Sequence, residues 1–266
     1  MANVEVIARA KVRPGQLEGF KAQAAEIVRL TRERDAQTMR CDWFINQDGT
    51  QCEVHEMFPD EQGLIAHKLN TAEATARLFR DYASDHQSRL YGQVSETFLK
   101  LVRDRMGVAP EVFSFLQGLE QAPTVVAPSL GTSASEAVGA VVMGHLEVHA
   151  HLRVRPGQLE GFKAQVAEIM RLTREQDTQT TRYDWFLNQD ETTCEVHEAY
   201  LSGQGLIDHN THVMNARAIL FERYAYDHRM TAFGEVSPEL RELANKHAGG
   251  ISVFSFLQGL ETAAAA

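Results

Sequence analysis

The sequence predicts an α+β protein in which one βαββαβ unit is used twice. Two observations carry the prediction. Residues 12–35 (VRPGQLEGFKAQAAEIVRLTRERD) return at 154–177 (VRPGQLEGFKAQVAEIMRLTREQD) with three differences in 24 positions, and the same offset relates Trp43 to Trp185, His55 to His197, His67 to His209 and Tyr82 to Tyr224. Within each copy, short alternating runs give way to stretches with apolar residues three and four apart, the change of period that separates strands from amphipathic helices. Each copy, at roughly 115 residues, has the size of one small domain.

The elements follow in order. Val4, Val6, Ala8, Ala10 and Val12 alternate with their neighbours, as do Leu146, Val148, Ala150, Leu152 and Val154, so each copy opens on a half-buried strand. Arg13-Pro14-Gly15 is a turn. Leu17, Phe20, Ala24, Ile27, Val28 and Leu30 then trace one helical face to about Glu33. A second strand passes through Met39, Cys41, Trp43 and Ile45 and ends in Asn46-Gln47-Asp48-Gly49, a hairpin signal. The third strand is Cys52, Val54, Glu56 and Phe58. A second helix starts near Asp60 or Glu61 and continues, with a break, through Leu78, Phe79 and Tyr82. Tyr82, Asp85 and His86 are read as a cap or surface network at its end, repeated as Tyr224, Asp227 and His228. A further helical piece, Ser95 to Met106, precedes a last strand, Val112 to Leu116, which recurs as Val253 to Leu257.

A unit of this order gives a four-stranded antiparallel sheet with its helices on one face, the ferredoxin-like arrangement. The open face of each sheet needs cover, and two such sheets in one chain can supply it to each other. The expected architecture is therefore two ferredoxin-like domains, 1–120 and 144–262, packed face to face as an intramolecular dimeric α+β barrel. Residues 121–143, rich in Pro, Gly, Ser and Ala, read as the linker, and a tail of four alanines ends the chain. This pseudo-dimer leaves further association of whole chains open.

Composition narrows the function. A formal net charge of −10 disfavours nucleic acid and anionic membrane surfaces, which need clustered Lys and Arg. A small neutral or aromatic ligand suits the chain better. The first residues lack the pattern of a secretory signal and no window approaches a membrane span, so the expected location is the cytoplasm. Cys41, Cys52 and Cys194 show neither disulfide nor zinc-ribbon spacing, and Cys52 and Cys194 hold the same place in the two copies, as a buried strand residue would. No G-x-G-x-x-G, Walker loop or G-x-S-x-G elbow is present, so neither a dinucleotide cofactor nor a serine nucleophile is indicated.

Candidate chemistry lies on both faces of the sheet. Tyr183, Trp185, Cys194, Val196, Glu198 and Tyr200 share the helix-facing side, because residues two apart on a strand share a face. Glu198 is the misfit there. A buried carboxylate is paired, hydrogen-bonded or protonated, and a raised pKa suits a general acid or base. His209 is its expected partner, Glu56 with His67 repeats the pair, and His212 stands one turn beyond His209. A structural Glu–His hydrogen bond is the competing reading. On the opposite face His149, His151 and His197 converge with Glu195, a donor set for zinc, iron, copper or nickel, with a hydrogen-bonded polar layer as the alternative. The second copy carries more proton-transfer groups and is expected to hold the principal site.

The runs V-R-P-G-Q-L-E-G-F, Y-D-W-F-L-N-Q-D, C-E-V-H-E-x-Y, G-L-I-D-H and F-G-E-V-S-P-E-L, with V-F-S-F-L-Q-G-L, resemble the antibiotic biosynthesis monooxygenase (ABM) family of dimeric α+β barrels, over both copies almost end to end. The resemblance implies a cofactor-independent monooxygenase, or an isomerase, acting on a small aromatic, quinol-like substrate. Such enzymes hold a phenol with Asn, Trp and Tyr side chains, types supplied here by Trp43, Trp185, Asn46, Asn188, Tyr183 and Tyr200. Haem-degrading relatives use an early-helix His, matched by His67 and His209, and a strand-three Trp, where this chain has Phe58 or Tyr200; haem is accordingly the lesser alternative. A ligand-binding module without turnover and a His-ligated metal enzyme complete the set.

Overall fold

In the computed structural model, which describes residues 3–106, 110–119, 146–234, 236–238, 241–242 and 251–260, the first half of the chain forms β1 (Val4–Val12), α1 (Leu17–Arg34), β2 (Arg40–Asn46), β3 (Gln51–Phe58), α2 (Glu61–Asn70), α3 (Ala72–Arg77), β4 (Ala83–Tyr91), α4 (Glu96–Met106) and β5 (Glu111–Gln117). The second half contributes β6 (Leu146–Val154), α5 (Leu159–Gln176), β7 (Thr180–Asn188), β8 (Thr193–Tyr200), α6 (Gly203–His212), α7 (Met214–Ile219), β9 (Ala225–Phe233) and β10 (Ser252–Gln258). The strands close into one barrel in the order β1-β3-β2-β10-β9-β6-β8-β7-β5-β4. Each half keeps a four-stranded antiparallel run, β4-β1-β3-β2 and β9-β6-β8-β7, but the two runs are joined edge to edge and are not separate sheets. The last strand of each half is the reason: β5 runs parallel to β4 and antiparallel to β7, while β10 runs parallel to β9 and antiparallel to β2, so each half lends a strand to the seam. The expected linker and the alanine tail lie outside the described residues.

Local signals explain most boundaries. Gly49, at φ 71°, turns the β2–β3 hairpin, and the Asn46 side chain accepts the backbone N–H groups of Thr50 and Gln51. Asp60 caps α2, its carboxylate accepting from the N–H groups of Gln62 and Gly63 at 3.0 and 2.9 Å. The break in the second helix falls at Thr71, between α2 and α3, and α3 runs into a π-helical turn at Leu78–Tyr82. Strand β4 replaces the surface network expected around Asp85 and His86. Ser84 faces Lys11 and Gln87 faces Arg9, so Asp85 and His86 bulge out together opposite Ala10, with Asp85 at φ 53°. The bulge breaks the alternation that would have marked the strand.

Side-chain alternation divides the molecule into layers. The outward face of the first half packs Val12, Trp43, Cys52 and Val54 against Phe20, Ala24, Ile27 and Val28 of α1. Withdrawing a side chain such as Phe20 wholly from water contributes about 1.5–3 kcal/mol. Residues 150–225 of the second half build the matching core around Phe162, Ile169 and Trp185. All three cysteines are buried and free, and Cys52 and Cys194 occupy the predicted strand positions. The inward face carries histidines, carboxylates and arginines between two aromatic clusters. Among the described residues no helix is long and apolar enough to cross a membrane.

Candidate active site

A cavity of about 430 Å³ opens in the first half between the outer face of the barrel and the helices. Val6, Ala8, Ala10 and Val54 floor it, Leu64, Leu78 and Phe79 wall it, and Phe98, Leu101 and Val102 of α4 close one side. Its size and apolar lining suit a small organic ligand. Polar groups gather at one wall. His67 Nδ1 lies 3.0 Å from Asp35 Oδ2, its Nε2 lies 3.2 Å from Glu56 Oε1, and Lys68 Nζ reaches both Glu56 oxygens at 2.9 and 2.6 Å. Thr38 donates its hydroxyl to Asp35 at 2.6 Å. Burial opposes the charge on Glu56, but the Lys68 ammonium and then His67 hold its carboxyl well below the ordinary carboxylate range. Across the cavity His86, packed on Phe79, is depressed by burial and by Lys68. Trp43 adds a buried indole N–H without a hydrogen-bond partner.

Cys41, Glu56 and His67 also place one donor atom each within 4.8 Å of one another. Two features work against a metal there. Burial, then the Glu56 charge, pushes the Cys41 thiol up to about 12, and Lys68 already occupies both oxygens of Glu56.

The second half has the same walls and far less space, about 30 Å³. Leu152, Tyr183, Arg217 and Met230 stand where the first half has Ala10, Cys41, Thr75 and Ser88. Of the proton-transfer groups that favoured the second half in the sequence, Tyr183 takes up the room a substrate needs, together with Leu152, Arg217 and Met230. Glu198 is buried on the predicted face, but its hydrogen bond is to the Tyr200 hydroxyl at 2.6 Å and not to His209. Burial raises its carboxyl above the ordinary range, against the pull of His209 and Tyr200. His209 and His212 do not face a ligand together. Both grip Asp177, each Nδ1 at 2.6 Å from one of its oxygens. Asn188 is likewise a turn residue, its side chain accepting the N–H groups of Thr192 and Thr193. Trp185 and Tyr183 line the small cavity as expected, with the Trp185 N–H unpartnered.

Inside the barrel three imidazoles stack. His55 and His149 are 4.6 Å apart at 19°, His149 and His197 are 4.2 Å apart at 21°, and Phe233 and Tyr91 pack edge-on at the two ends. Burial, more than any neighbour, pushes His149 down to about 3 and His197 to about 4, so both rings are neutral at physiological pH. His151 is not part of the stack. It turns to Glu195, 2.7 Å away, beside Arg89, so the expected trio of His149, His151 and His197 does not assemble. Ion pairs flank the stack: Arg40 with Asp42 and Glu147, Arg182 with Glu5 and Asp184, and Arg9 with Glu53.

Sequence reasoning missed Asp35, Lys68, His86 and His55. Asp35 carried a signal, a helix-ending Asp three residues before Thr38, which is turn chemistry. The other three depend on which way a helix, a bulge and a barrel interior face.

A closed α+β barrel with a ligand-sized cavity beneath its helices is a recognisable class. No protein-family model and no curated protein matches the chain. Among solved structures, a Fusobacterium nucleatum subsp. nucleatum protein assigned as a monooxygenase superposes with a TM-score of 0.58 at 10% identity, covering 86% of this chain and 89% of its own. A protein from Lactobacillus acidophilus NCFM with the same assignment gives 0.56 at 9% identity, covering 86% and 92%. MupZ from Pseudomonas fluorescens aligns over 100% of its length with 48% of this chain at 25% identity, with a TM-score of 0.39. The chain shares its fold with the Fusobacterium and Lactobacillus proteins over most of its length.

Proposed function

We propose that the chain is an ABM-type oxygenase acting, without flavin or nicotinamide, on a small quinol-like aromatic in the first-half cavity. The observation that carries this reading is the chain of ionisable groups Asp35–His67–Glu56–Lys68 at one wall of an otherwise apolar cavity. Two proteins of the same fold assigned as monooxygenases add support. A phenolic hydroxyl between Lys68 and His86 loses its proton to His86, which burial keeps in its neutral, accepting form, and Lys68, held by Glu56, balances the phenolate. The unpartnered Trp43 N–H is free to donate to a second substrate oxygen. A phenolate with a para CH2 group is electron-rich enough to reduce dioxygen itself: the CH2 carbon becomes a carbonyl, the second oxygen atom leaves as water, and all electrons come from the substrate.

Oxygen uptake on addition of an anthrone probe tests the reading. Turnover should fall about 100-fold or more in His86→Gln, the scale of lost acid–base catalysis. Ser88→Met, which imports the second-half wall residue, should abolish binding in a folded protein. Probe consumption without oxygen uptake would indicate isomerisation, and tight binding without turnover would indicate a binding module.

A further inference from the structure

The barrel interior holds a second constellation, separate from the cavity. From its geometry we infer that Glu53, His55 and His149 bind one divalent transition ion of the zinc class. Glu53 Oε1 lies 3.2 Å from His55 Nε2 and 3.7 Å from His149 Nδ1, and one donor atom from each of the three residues lies within 4.8 Å of the others. Donors about 2.0–2.1 Å from a tetrahedral zinc are separated from one another by roughly 3.4 Å, close to the spacings here; because an imidazole lone pair lies in its ring plane, binding requires one of the stacked His55 and His149 rings to turn toward Glu53 Oε1. The His149–Glu53 separation is too long for a hydrogen bond, so that pair is not satisfied by direct contact.

Three features of the surroundings favour an ion. Arg9 engages Glu53 through Oε2 and leaves Oε1 to the histidines, the division expected of an outer partner that orients a ligand. Around the stack four arginines, Arg9, Arg40, Arg89 and Arg182, are ion-paired with six interior carboxylates, so acidic groups outnumber guanidinium groups there, a setting that favours a cation. The layer is also short of hydrogen bonds: His197 Nε2 is buried with none among the described residues, and His55 Nδ1 has only Glu147 Oε2, 3.4 Å away.

The site spans the barrel. Glu53 and His55 sit on β3 and His149 on β6, from opposite halves of the chain, so an ion would tie the two walls together. It is also asymmetric. At the mirror position of His149 stands Ile7, which cannot ligate, so the chain should bind one ion and not two.

The test uses the full chain without a histidine tag, stripped by chelator and titrated with cobalt(II). One equivalent should bind with the visible d–d absorption of a low-symmetry site, zinc should displace it, and the bound ion should raise the melting temperature. Glu53→Gln and His149→Ile should each weaken binding at least 100-fold; the second installs the residue already tolerated at the mirror position. His151→Ala and Cys41→Ser should bind as the parent does. No saturable uptake by the folded parent, binding that survives His149→Ile, or binding lost in Cys41→Ser would overturn the assignment, the last by placing the ion in the cavity.

Discussion

Two glutamates at equivalent positions, Glu56 and Glu198, are driven in opposite directions because Lys68 in the first half becomes Asn210 in the second. With the ammonium present, burial is overcome and the carboxylate is held in its charged form; without it, burial prevails and the carboxyl is pushed toward its protonated form. The consequences for stability have opposite signs. Glu56, depressed in the fold, contributes stability that is complete above the unfolded carboxyl value, about 4.3, and is lost as pH falls toward its folded value. Glu198, raised in the fold, contributes stability at acid pH that is lost as pH climbs from about 4.3 through its folded value. Melting curves across pH should therefore show Glu198→Gln more stable than the parent at neutral pH, the difference closing in acid. Lys68→Ala should be less stable at neutral pH, with that difference also closing in acid. The buried carboxylate at Glu198 was legible from its apolar neighbours Val196 and Tyr200. Lys68 was not, because an exposed-looking lysine on a helix declares no partner until the helix is docked.

At the scale of elements, β4 shows where a periodic signal fails. The segment ASDHQSRLY is polar, and its bulge at Asp85 and His86 shifts the inward and outward sets by one residue in mid-strand. The same shift brings His86 into the cavity wall, so the irregularity that hid the strand also shapes the candidate site. The π-helical turn before β4 is held by packing against α1. A Cβ at Gly19 would fall within van der Waals contact of the Tyr82 ring, and the same holds for Gly161 and Tyr224. Gly19→Ala should cost about 1–3 kcal/mol, the range for overfilling a packed contact, measurable by chemical denaturation. A cost near zero would mean that Tyr82 swings aside freely.

For the whole molecule, closure is the decisive property. Strands β5 and β10 each pair with both halves, so neither half completes its own sheet. A chain ending before Ser252 should expose the edges of β2 and β9 and lose cooperative melting or self-associate, as circular dichroism and size-exclusion chromatography would report. Across the interior, Arg40 of the first half meets Glu147 of the second at 2.6 Å. Arg40→Ala leaves Glu147 and Asp42 without their guanidinium, a loss on the order of 3 kcal/mol. An undiminished midpoint in that variant would show that the interior ion pairs do not hold the halves together.

Read alone, the sequence determined the repeat, the course of most strands and helices, and their turns, since Gly49, Asp60 and the apolar spacing of α1 act over a few residues and need no distant partner. It also determined that Glu198 is buried and that histidines line the inner face. Only the tertiary structure decided that β5 and β10 join the two sheets edge to edge, that Lys68 commands Glu56, that His55 and not His151 completes the stack, and that the first half keeps the open cavity. Each of these depends on the volume or charge of side chains far apart in the chain, and such quantities exist only once the barrel has brought them together.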